Sequence, residues 1–257
     1  MLLKLSVLFF TPLISGLLIY LVPKGKNTNF KLLLVFAGAY LFAITVIHIL
    51  PELYHQPVGA EWIGLCVLGG FFLQQLLEYF SSGVEHGHIH THDQHAHDHH
   101  HGHHVSGNKS ISAIVLLIAL CVHAFLEGGM LAQPEYLGVD YDLNAILLGI
   151  ALHRAPAAFA LMTVLSFQLG SRQRAISYLI GFSLAAPLGL LLSTYLASSG
   201  ILTATGMIVL YAVVCGNFLH ISTTIVFESS PEHRFNAKKM AVAIVGSLLA
   251  VLIEVML

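Results

Sequence analysis

Charged side chains are scarce in this chain. Asp, Glu, Lys and Arg together make up 9% of its residues, against about 25% in soluble globular domains. Apolar residues reach 56%, and together these values exclude a soluble fold and point to an integral membrane protein. The formal net charge of −2 excludes the basic surface that nucleic acid requires. Cysteine is nearly absent: Cys66, Cys121 and Cys215 all sit inside apolar segments. None lies in a loop where an oxidising compartment would pair it, so they read as small buried hydrophobes. No Gly-rich loop ending in Lys is present to cradle a nucleotide phosphate, which argues against an ATP-driven pump. A cleavable signal peptide is not expected either. Residues 1–22 are apolar, Lys4 is the sole basic residue at their start, and no small-residue cleavage site follows.

What is present is a series of eight apolar segments, 2–22, 31–51, 61–82, 111–132, 143–166, 174–197, 203–227 and 237–256. At 1.5 Å per residue each can cross roughly 30 Å of hydrocarbon as a helix. None shows the alternation of a lipid-facing strand. The expected fold is all-α, a single transmembrane domain over 1–257 built as a bundle of eight transmembrane helices. Basic residues set its orientation. Lys24, Lys26 and Lys31 flank the first connection, Lys109 the third, Arg172 and Arg174 the fifth, and Arg234, Lys238 and Lys239 the seventh. The second, fourth and sixth connections have no Lys or Arg, and the fourth carries Glu135, Asp140 and Asp142. The positive-inside rule makes the odd-numbered connections cytosolic. The expected location is therefore the cell (inner) membrane with both termini outside.

One tract is of low complexity. Residues 84–109 hold eleven histidines, from His86 to His104, with Asp93 and Asp98 among them. Such a segment cannot bury a core, so the expectation is a disordered cytosolic loop between helices 3 and 4. An engineered tag would be terminal and uninterrupted. This tract is internal and irregular, and reads as a weak, multisite metal-binding loop.

The remaining chemistry lies inside the apolar segments, where an ionisable group costs roughly 2.5–3.5 kcal/mol at the helix centre and is usually functional. His123 and Glu127, in His123-Ala124-Phe125-Leu126-Glu127-Gly128, are four residues apart on one helix face. His153, in His153-Arg154-Ala155-Pro156, lies near the middle of the next segment at matching depth. Two neutral imidazoles and one carboxylate suit Zn²⁺ and accept Fe²⁺, Mn²⁺, Co²⁺ or Cd²⁺. Three protein ligands leave a position for water, as a site that must release its ion requires. The packing alternative is a set of hydrogen-bonded interhelical polar residues.

His48 and Glu52 repeat the four-residue spacing near the outer mouth and read as a pair of access ligands. The alternative places Glu52 simply at a helix terminus in the headgroup region. His220, with Glu78 at similar inner depth and Glu228 at the cytosolic end of its segment, reads equally as an exit relay or as a buried hydrogen-bonded histidine. Taken by depth, these ligands run from the outer mouth through the midplane to the His-rich loop, an order that favours transport over static binding. Pro156, Gly149, Pro187 and Gly189 are expected to interrupt their helices, freeing carbonyls or letting helices pack closely. Pro156, three residues from His153, is the one expected to bear on the site.

These residues resemble the Zrt/Irt-like (ZIP) family of divalent-metal transporters over nearly the whole chain. His123 to Gly128 resembles the family's fourth-helix signature, and His153-Arg154-Ala155-Pro156-Ala157 resembles its fifth-helix His-x-x-Pro-Glu. His48 to Glu52 is similar to the second-helix motif, and Gly216-Asn217-Phe218-Leu219-His220 to the seventh-helix Gly-Thr-Phe-Leu-Tyr. The resemblance implies import of zinc or a related divalent cation into the cytosol. It also implies two adjacent metal positions bridged by a fifth-helix Glu, and here the sequence departs from the family. Ala157 stands at the bridging position, Ala124 follows the first His, Ala186 replaces a sixth-helix acid, and Arg154 stands where other members carry Asp or Lys. A mononuclear site of His123, Glu127 and His153 follows. Arg154 is then a charge substitute for the second metal, pairing with Glu127 or an unsatisfied carbonyl.

The expected cargo is Zn²⁺. The expected partners are the lipid bilayer, divalent metal ions and, as an open alternative, a second copy of the chain. No enzyme activity is expected. The alternatives from other classes are an intramembrane zinc-dependent hydrolase using the same His/His/Glu set, for which no general base stands beside the ligands, and a metal sensor of the same fold that no longer transports.

Overall fold

A computed structural model of the chain describes residues 1–21, 28–81, 113–132, 143–228 and 237–256. Among these residues there is no strand, and eight helices are long and apolar enough to cross a membrane. Helix α1 is Leu2–Leu17, tightening into a 3₁₀ turn at Leu18–Tyr20. Helix α2 runs from Thr28–Ile44 through a π-helical turn, Thr45–Ile49, into a last α-helical stretch, Leu50–His55. Then come α3 (Ala60–Ser81), α4 (Ala113–Met130), α5 (Leu143–Leu169), α6 (Arg172–Ser198), α7 (Ala204–Glu228) and α8 (Ala237–Met256). The His-rich tract 84–109 lies outside the described residues.

Helices α2, α4, α5 and α7 form most of the interior, whereas α1, α3 and α8 expose most of their surface. The extensive pairings are α3 with α7, α4 with α6, α2 with α8, and α1 with α5 and α6. Lipid tails are as apolar as leucine, so burial alone does not join such helices; close backbone approach does. Two seams show this. A Cβ added at Gly128 would collide with the backbone carbonyl of Ala186, and one added at Gly189 with that of Phe125. Between α3 and α7, Gly70 and Gly216 play the same reciprocal parts against Val213 and Val67.

Two sequence expectations are corrected here. Helices α5 and α6 run without a break through Gly149, Pro156, Pro187 and Gly189. The helices are not interrupted there, and the glycines serve as contact points, the close packing that is the other expectation for them. Pro156 cannot donate to Leu152 O, and the chain absorbs that loss without leaving the helix; Ser15 of α1 donates to the neighbouring Ala155 O. The departure from α-geometry falls instead in α2. There Leu50 N donates to Thr45 O across five residues, immediately before Pro51, which has no N–H and whose ring crowds the preceding turn. Helix α2 also extends four residues beyond the expected limit of 51, which puts Glu52 in its last turn.

Candidate metal site

The middle of α4 carries His123 and Glu127 on one face, both buried. Their spacing places Nε2 of His123 2.9 Å from Oε1 of Glu127. His153 enters from α5, also buried, with its ring centroid 5.9 Å from that of His123 and the planes nearly perpendicular. One ligand atom from each of the three lies within 4.8 Å of the others, and among the described residues this is the one group of three His, Cys, Asp or Glu side chains so arranged. A tetrahedral ion with bonds of about 2.0–2.1 Å needs donors about 3.3 Å apart, so a small closure would suit it. Glu127 Oε2 has no hydrogen-bond partner among the described residues. A buried carboxylate oxygen left in this state is costly unless a cation meets it.

Arg154 follows His153 and is the largest fully buried side chain described. Of the two partners expected for it, the carbonyl is the one it takes. Its Nη2 donates to Phe182 O at 3.2 Å, and its guanidinium carbon sits 4.9 Å from the centre of the Phe182 ring.

The two other expected ligand sets are arranged as histidine–carboxylate pairs. His48 Nδ1 lies 2.6 Å from Oε1 of Glu254, on α8. Glu52 accepts from Gln56 Nε2 at 3.3 Å. His48, in the π-helical turn, thus has Glu254 as a carboxylate neighbour, and Glu52 lies in the last turn of the same helix. Glu254 went unremarked in the sequence, although the rule that singles out His123, an ionisable residue within an apolar span, applies to it equally. On the opposite side of the bundle, His220 Nδ1 lies 3.4 Å from Oε2 of Glu78, with the imidazole edge-on to Phe71 at 4.8 Å. Asn217, one turn away, has its amide oriented by its neighbours to donate to Gly70 O at 2.6 Å and Val213 O at 3.2 Å. The side chain of Glu228 lies outside the described residues.

Eight spans enclosing a buried His–Glu–His cluster can be set beside known proteins. A family model, ZIP Zinc transporter, matches residues 1–254. The chain belongs to the ZIP zinc transporter family. Its curated relatives include Zinc transporter ZIP9-B of Xenopus laevis, 29% identical over 169 residues, which are 63% of this chain and 50% of that protein. Zinc transporter ZIP9 of Micropogonias undulatus is 30% identical over 168 residues, 63% of this chain and 49% of that protein. Zinc transporter ZIP9 of Macaca fascicularis is 35% identical over 113 residues, 41% of this chain and 47% of that protein. The chain thus spans about half the length of the curated relatives it matches. The matching family model is one of zinc transporters.

Proposed function

We propose that this ZIP protein carries divalent metal cations, Zn²⁺ foremost, across the membrane into the cytosol, one ion at a time, through a site made of His123, Glu127 and His153. The observation that carries the reading is the convergence of two imidazoles and a carboxylate, all buried, from two adjacent spans. Borderline-soft nitrogen ligands with one hard oxygen suit Zn²⁺, and Fe²⁺, Mn²⁺, Co²⁺ and Cd²⁺ remain secondary cargoes. The inward direction is what the resemblance to the ZIP family implies, and the positive-inside rule puts both termini outside. A membrane potential adds about 2.3 kcal/mol per charge per 100 mV to inward movement of a cation.

In this reading His48, Glu52 and Glu254 receive the ion at the outer mouth, and His220 with Glu78 passes it on toward the cytosolic His-rich loop. Helices α2, α4 and α8 all finish on the first side, and α3 and α7 on the other, so the two histidine–carboxylate pairs flank the central cluster along the bundle axis. Bundle motion around a central site supplies alternating access.

The test is uptake of a panel of divalent ions by purified protein in liposomes, with His123, Glu127 and His153 each changed to alanine. The reading requires uptake by the wild type that each change abolishes. Metal binding without any uptake would assign the chain to the sensor alternative instead.

A further inference from the structure

Transport through three ligands leaves one buried group without a role. Arg154 is 2% exposed and sits next to a ligand in sequence. Among the described residues only Nη2 is hydrogen-bonded, and Nε and Nη1 have no partner. Among the described residues no carboxylate contacts it. Its anchor, Phe182, is one helical turn from Ala186, the residue whose carbonyl abuts Gly128, next to Glu127. Arg154, beside the ligand His153 in α5, is thus anchored on α6 one turn from where that helix meets the neighbour of Glu127 on α4. Arginine keeps its proton in proteins, so this is a fixed positive charge.

In the form that binds a metal, where both imidazoles must be neutral to act as ligands, the charge of the site sums to zero: one carboxylate and one guanidinium. A cation arriving there gains little from net charge and is held by the bonds that it makes to imidazole nitrogen. Zn²⁺, Fe²⁺ and Co²⁺ make such bonds readily; Mg²⁺ and Ca²⁺ require six or more oxygen ligands. We infer that Arg154 is the selectivity-determining residue of the cargo site: its charge offsets that of Glu127, so that imidazole-binding divalent cations are held and released while alkaline-earth cations are rejected. This inference rests on the transport reading above and refines it.

Arg154→Gln and Arg154→Lys, prepared as full-length protein in liposomes, test it against the wild type. Arg154→Gln leaves a site of charge −1. Removing a unit positive charge from the buried surroundings of a divalent ion strengthens its binding by about tenfold or more. The glutamine variant is expected to bind Zn²⁺ at least about tenfold more tightly, to turn over more slowly at saturation, and to have its zinc uptake inhibited by millimolar Ca²⁺. Arg154→Lys, which keeps the charge and loses the fork, is expected to bind and discriminate like the wild type. A folded glutamine variant with wild-type zinc affinity and indifference to Ca²⁺ would overturn the inference. So would a lysine variant that behaves like the glutamine one. Should the glutamine variant not fold, the wild type alone decides: competitive inhibition of its zinc uptake by millimolar Ca²⁺ removes the inference and leaves the transport reading standing. A wild type that takes up no divalent ion removes the transport reading itself.

Discussion

His48 and Glu254 are 206 positions apart, yet Nδ1 of the first lies 2.6 Å from Oε1 of the second. The pair ties the end of the peripheral helix α8 to the π-helical turn of α2. Both side chains are largely shielded, so the bond forms in a medium of low dielectric where a charge-assisted contact counts for more than in water. Their coupling should be about 1–2 kcal/mol in a double-mutant cycle of His48→Ala and Glu254→Gln, read from thermal unfolding in detergent. In liposomes both single variants should raise KM for zinc and leave kcat nearly unchanged, because the outer pair gathers ions and the central cluster carries them. Coupling indistinguishable from zero would mean that the two groups do not hold each other.

The α4–α6 seam predicts a sharp contrast among glycines. Gly128→Ala and Gly189→Ala would each drive a methyl group into a backbone carbonyl of the facing helix. The helices must separate, and overpacking of this kind costs about 3 kcal/mol or more where backbone meets backbone. Gly181→Ala, on the same α6 but facing open space, should be harmless. Size-exclusion profiles should show the first two variants aggregated or strongly destabilised, with metal binding lost because Glu127 adjoins Gly128, and the third unchanged.

Two side chains from other helices close the C-terminal end of α4. Lys4 Nζ donates to Leu131 O at 3.3 Å, and Tyr211 Oη donates to Ala132 O at 2.7 Å. Carbonyls at a helix C-terminus lack internal donors and carry partial negative charge, which an ammonium complements. Tyr211→Phe should lower stability by about 1 kcal/mol, since the carbonyl it leaves is buried. Lys4→Met should cost less, about 0.3–1 kcal/mol. Thermal unfolding of each variant in detergent measures both, and zinc affinity should not move, because neither touches the ligands.

The inner pair predicts a kinetic signature. Glu78→Gln and His220→Phe remove the groups that would take the ion from the central cluster while leaving His123, Glu127 and His153 untouched. Zinc binding in detergent should stay at wild-type affinity, and kcat for uptake should fall severalfold. A proportional rise in KM at constant kcat would assign the pair to a different step.

Much of this architecture is written in the chain. Long apolar runs admit few structures in a lipid solvent, because every backbone group must be satisfied within its own segment. The eight helices accordingly fall close to the limits read from hydropathy alone. The link between His123 and Glu127 was equally legible, since four residues on a helix face place two side chains together wherever that helix packs. His153 could be matched to them in depth, but depth does not settle which way a side chain points. That required α4 and α5 to meet at a particular rotation.

Other features were set where helices touch. His48, in the π-helical turn at Thr45–Ile49, meets Glu254 of α8, 206 positions away. Arg154 takes the carbonyl of Phe182, from a third helix. The glycines that the sequence suggested as breaks became points of contact, because an absent Cβ either loosens one helix or admits another, and only the neighbour decides which. The sequence by itself determined the solvent, the number of spans and the pairing of His123 with Glu127, because these depend on side-chain periodicity and transfer free energy. The tertiary structure alone decided which helix faces meet, and with them the pairings of His153, His48, His220 and Arg154, because interhelical rotation is fixed by close packing that no single segment encodes.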